Sequence, residues 1–105
     1  MSRTSKRAFK ALVREWAARL DVPVQSLTVR PMTNKWASCS TAGNLTFNDE
    51  LLHMDEDLQR FVIVHELLHF KIPNHGKLWK SLMRAHLGPW EESEQRLRRL
   101  AGAST

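Results

Sequence analysis

At 105 residues, 42% of them hydrophobic, the chain has material for one core and hardly for two, so a single domain over 1–105 is expected. A lone cysteine, Cys39, excludes an internal disulfide framework and points to a reducing cytoplasm. No stretch approaches the roughly 18 apolar residues of a membrane span, and Lys10, Arg14, Glu15 and Arg19 break the apolar run that an export signal needs.

The net charge of +5 is segregated: residues 1–35 carry eight basic and two acidic groups, 36–70 one and six, 71–105 seven and three. Basic ends can meet nucleic acid, an anionic membrane or acidic protein segments. Solvated helix faces, with acids placed to suit helix dipoles, are the plainer explanation. A nucleic-acid partner is therefore kept open but not favoured, and no membrane partner is expected.

Residues 1–6 read as a flexible basic tail. From about 5 to 20, Phe9, Leu12, Val13, Trp16, Ala17 and Leu20 recur at helical spacing with charges between them, and Asp21-Val22-Pro23 closes that helix. Leu27 to Arg30 has strand character. Trp36 to Cys39 and Leu45 to Phe47 flank Thr41-Ala42-Gly43-Asn44, a hairpin pattern with the glycine in the turn. Asn48 is placed to cap a short helix through about His53, and Asp55 to cap a second over 56–71, apolar on most of its circumference and so the buried central helix. Pro73 ends it at Ile72. Asn74 is placed to cap the next helix, putting His75 in its first turn, with Leu78, Trp79, Leu82, Met83 and Leu87 as its apolar face. Gly88-Pro89 stops that helix, and a charged one follows from Glu91 to Leu100.

The chemistry concentrates in the central helix. In His65-Glu66-Leu67-Leu68-His69, positions i and i+4 share a face, so two imidazoles can bind one metal with Glu66 beside them. Zinc hydrolysis wants three protein ligands and an open fourth position, and His75, returned by the break at Ile72-Pro73-Asn74, supplies the third. Bound zinc brings the pKa of its water to about 7, and Glu66 is the base that takes the proton and hands it to the leaving amine. Duller readings exist for each part: core histidines bonded to carbonyls, or a salt-bridged Glu66. Glu91, Glu92 and Glu94 are second-ranked alternatives for the third ligand. Cys39 is either a fourth ligand, closing a structural site with the three histidines or holding an enzyme latent, or a buried structural residue, the last being stronger. With no tyrosine in the chain, His86, Arg84, His53 and Lys35 are unranked candidates for steadying an oxyanion.

Beyond the motif, Trp36-Ala37-Ser38-Cys39-Ser40, Leu45-Thr46-Phe47-Asn48 with Leu51, Val64 to His69, and Asn74-His75-Gly76 with Leu78-Trp79 occur in an ordered combination. Over roughly residues 27–100 the chain resembles the YgjP-like metal-dependent hydrolases, a zincin-like metallopeptidase family. It departs in having Ala37 for glycine and Leu78 for phenylalanine, and only one helix before the strands, where family members usually carry a longer N-terminal portion. The resemblance implies zinc held by His65, His69 and His75, with Glu66 as catalytic base. The expected fold is a small α+β zincin-like domain: an N-terminal helix, a short twisted β-sheet, the central zinc-binding helix and two C-terminal helices. The expected activity is zinc-dependent peptide hydrolysis by a monomer holding one zinc ion, acting on peptide or protein substrates. The alternatives are an inactive metal-stabilised binding module, DNA-associated or not, and a hydrolase of other amides or esters.

Overall fold

In the computed structural model, which describes residues 4–72, 74 and 76–102, helix α1 (Lys6–Leu20) starts at Ser5, whose hydroxyl accepts a hydrogen bond from the Ala8 amide at 3.0 Å. It ends at Asp21, whose left-handed backbone (φ 57) lets the Asp21 and Val22 amides turn back onto the Ala18 and Ala17 carbonyls. Of the tail expected over 1–6, positions 1–3 lie outside the described residues, whereas Thr4 to Lys6 are held. The Thr4 amide donates to the Leu52 carbonyl, its hydroxyl accepts from Gln59, Ser5 caps, and Lys6 is already helical.

Strands β1 (Ser26–Arg30), β2 (Ala37–Cys39) and β3 (Asn44–Asn48) form one sheet in the order β1-β3-β2. The expected hairpin is present: β2 runs antiparallel to β3, with Ala37 opposite Phe47 and Cys39 opposite Leu45. Gly43 makes its turn at φ +93, where a side chain would meet the Pro23 carbonyl oxygen at 2.9 Å. Periodicity did not foretell that β1 pairs with β3, in parallel. The 31–36 connection must therefore cross the end of β3 to reach β2, leaving β2 at an edge. Alternation in β1 and β3 turns Leu27, Val29, Leu45 and Phe47 inward, and Phe9 of α1 meets Phe47 edge to face at 5.3 Å.

After the 3-10 turn Asp49–His53, opened by Asn48 as expected, helix α2 (Glu56–Lys71) runs through the middle of the molecule. Phe61, Val62, Ile63, Val64, Leu67 and Leu68 are buried, and α2 packs against α1, β2 and the two later helices, α3 (Lys77–Leu87) and α4 (Glu91–Gly102). Acids begin both α2 and α4, where they suit the dipole, but the first turn of α1 has none, so that explanation of the charge pattern does not extend to α1.

Asp55 joins α2 to α4. One oxygen caps α2 through the Leu58 amide at 3.0 Å, and the other pairs with Arg96. The Arg96 guanidinium, aided by the Leu58 amide, holds the Asp55 carboxyl below the usual range. A depressed carboxylate stabilises the fold above its unfolded pKa, and that stability is lost as pH falls through the folded value. Asp55→Asn, which keeps the cap acceptor, is expected to be less stable than the parent at pH 6. Urea titrations should show the gap narrowing as pH falls below about 4, and a gap independent of pH would exclude the linkage.

α3 departs from expectation at its start. It begins at Lys77 with Gly76 as cap, and the Asn74 side chain accepts from the Gly76 amide at 3.1 Å, so Asn74 closes a turn before the helix. Trp79 and Met83 face the core, but Leu78 is 63% exposed because it lies about 100° away from Trp79, off their common arc.

Candidate metal centre

Three consecutive features of α2 build the centre. The Asp55 cap fixes where the helix starts, its apolar circumference buries it, and Ile72 ends it in extended conformation (φ -127, ψ 98), as a residue before proline requires. His65 and His69 then lie one turn apart, near the helix end, with ring centroids 4.6 Å apart and planes at 72°. Glu66 is beside them: its Oε2 stands 3.5 Å from His65 Nδ1, and the two side chains are 18% and 24% exposed, within reach of a small polar molecule.

The spacing of the two rings is one that a shared metal would allow. A metal about 2.1 Å from one nitrogen of each imidazole, with an angle of ~90–110° between them, separates the ring centroids by about 4.5–5.3 Å. The observed spacing falls in that interval. His75, expected as third ligand, lies outside the described residues, as does Pro73. Among the described residues no three His, Cys, Asp or Glu side chains form a metal-binding group, so neither Cys39 nor the α4 glutamates complete one with His65 and His69. Glu91 pairs instead with Arg84, and Glu94 with Arg98.

Cys39 is half-buried on β2, its thiol donating to the Ser40 carbonyl at 3.4 Å. Burial pushes this thiol up from its ordinary value, and the negative charge of Glu66 across the α2–β2 contact adds to the effect. Of the four oxyanion candidates, His86 packs against Trp16 of α1, Arg84 is paired on α4, and His53 is exposed at the end of the 3-10 turn. Lys35 alone belongs to the segment that enters β2.

The sequence reading missed the aromatic surroundings of the histidines. Trp79, 1% exposed, lies 5.2 Å from His65 at 85° and 5.6 Å from His69 at 29°. Trp90, preceding α4, stacks on Phe61 at 6.2 Å and meets Trp79 edge to face at 5.5 Å. The available signal was the recurrence of tryptophan, at 79 and 90, after the helix break.

Asn48 was also underread. Besides capping the 3-10 turn through the Glu50 amide, its side chain donates to the Met32 and Lys35 carbonyls at 3.2 and 3.1 Å. Its own amide donates to the Trp36 carbonyl at 2.8 Å. It therefore holds the crossing loop over the end of β3 and sets where edge strand β2 begins.

The chain is similar to known proteins in sequence and in fold. A family model described as YgjP-like, metallopeptidase domain, matches residues 1–100. An uncharacterized protein of Methanocaldococcus jannaschii is 31% identical over 99 residues, covering 90% of each chain, so this relative is of similar length. The crystal structure of the metallopeptidase zymogen jannalysin from the same organism superposes with a TM-score of 0.77 at 30% identity, covering 87% of this chain and 94% of that one. The zymogen of Pyrococcus abyssi abylysin superposes at 0.72, with 22% identity, covering 87% and 92%, which speaks to the fold alone. The small α+β architecture expected from sequence is the fold these structures share. No described helix is long and apolar enough to cross a membrane.

Proposed function

The chain belongs to the YgjP-like metallopeptidase domain family, and from that premise we propose that it is a zinc metallopeptidase working at His65, Glu66, His69 and His75. Membership makes it a hydrolase of the metallopeptidase class, with a metal cofactor and peptide or protein substrates. The finer reading rests on one observation: two imidazoles at metal-sharing distance, with a carboxylate next to them in the same helix. In this reading the whole chain acts as one cytoplasmic, monomeric domain holding a single zinc.

His65 and His69 hold the ion, and His75 completes the set. Ile72 leaves the helix in extended conformation and the Gly76 amide donates to the Asn74 side chain, so the helix has ended before the position of His75. Zinc in that position supplies a Lewis acid that polarises the scissile carbonyl and makes water nucleophilic at neutral pH. Glu66 takes the proton of the attacking water and returns it to the departing amine. The free edge of β2, beside α2, offers main-chain donors and acceptors to an extended peptide, which gives affinity with weak sequence preference.

Metal analysis combined with a peptide-library cleavage assay tests the proposal. The expected result is about one zinc per chain, cleavage abolished by chelation and restored by zinc, and zinc affinity at least about tenfold weaker after His75→Ala. Protein that takes up no zinc, or holds it as tightly after His75→Ala, would falsify the ligand assignment.

A further inference from the structure

Building on the reading of His65 and His69 as metal ligands, we infer that Trp79 is a positioning residue whose buried indole, packed against both imidazoles, limits their rotation and so orients them for a single metal. An imidazole ligand rotates about two side-chain bonds, and two such ligands bind tightly only if both rings are oriented before the metal arrives. One buried plane can serve both. His69 lies nearly parallel to the Trp79 indole, at 29°, and His65 nearly perpendicular to it, at 85°. Their mutual angle is 72°.

The indole is itself fixed. Trp79 is 1% exposed, and Trp90 meets it edge to face while stacking on Phe61. Phe61 in turn lies 5.6 Å from His65, one helical turn back along α2. Phe61 and Trp90 thus back Trp79 and His65 from the core side, and the buried indole cannot rotate without opening the core. Hydrogen-bonded carboxylates and carbonyls are the usual means of orienting metal-bound histidines. Here flat apolar contact contributes to the same task, and it also dries the side of the centre facing the core.

The test compares Trp79→Phe, which keeps a plane, with Trp79→Leu and Trp79→Met, which keep bulk without one. Zinc affinity is read by competition with a chromophoric chelator, cobalt-site geometry by the visible spectrum of the Co2+ form, and fold by circular dichroism of the metal-free protein. Trp79→Leu and Trp79→Met are expected to weaken zinc binding about 10–100-fold and to alter the cobalt spectrum, with Trp79→Phe restoring most of both. Folded Leu or Met variants that bind within twofold of the parent, with an unchanged spectrum, overturn the inference.

Should both variants fail to fold, NMR of the metal-free parent decides. Single rotamers for His65 and His69, with nuclear Overhauser contacts to the Trp79 ring protons, support the inference, and rotamer averaging at either histidine refutes it. A parent that binds no zinc sinks the proposed function, whereas a zinc-binding parent with indifferent Trp79 variants sinks this inference alone.

Discussion

Replacing Glu66 by alanine is expected to leave fold and zinc content unchanged while lowering peptide hydrolysis by about 10²–10⁴-fold, the usual contribution of a positioned general base. The side chain carries little of the packing: it is only partly buried, its neighbours Leu67 and Leu68 supply the core contact, and alanine suits a helix interior. Its loss therefore falls on proton transfer. Glu66→Gln should behave alike, because the amide keeps the shape without the basicity. Cleavage rates at saturating substrate, measured beside zinc content on the same preparations, separate the possible roles. Zinc lost with activity would make Glu66 a support for the metal, and activity within a few-fold of the parent would remove it from the chemistry.

The largest structural loss outside the core is expected at Asn48. Alanine there deletes an N-cap, worth about 1 kcal/mol, and two hydrogen bonds to loop carbonyls, each worth about 0.5–1.5 kcal/mol, in a side chain that is 4% exposed. The sum, about 2–4 kcal/mol, corresponds to a fall in Tm of roughly 10–25 °C for a domain of this size. Asn48→Asp keeps the cap acceptor but turns a carboxylate toward the Met32 and Lys35 carbonyls, so it should be no more stable than alanine at neutral pH. Thermal and urea unfolding check both variants. A shift below about 0.5 kcal/mol would mean the loop holds its path over β3 without this side chain.

Local signals carried much of the fold and the first half of the site into the sequence. Caps and breakers act over three or four residues, so Asp55 and Asn48 marked element starts, Ile72-Pro73 an end, and Gly43 a turn. The His65–His69 pairing followed from the helical repeat alone. What stayed hidden depends on elements distant in sequence. The parallel β1–β3 pairing is settled by strand order, and with it the loop-pinning work of Asn48. Leu78 has the character of a core residue but lies off the arc that Trp79 and Met83 present. Trp79 was legible as a core residue but not as the neighbour of both histidines, nor Trp90 as its support, since these contacts run between helices. His75, the third ligand read from the sequence, lies outside the described residues.

The shortness of β2 has a consequence for how such a protein survives in a crowded solution. A sheet edge left open for an incoming chain is equally open to another copy of the protein, and long flat edges of this kind seed aggregation. β2 extends only from Ala37 to Cys39, so a visiting strand gains a few main-chain bonds before running past the end. Two copies meeting through β2 alone would gain no more than that. A cleaved product, shortened and held by the same few bonds, would leave readily.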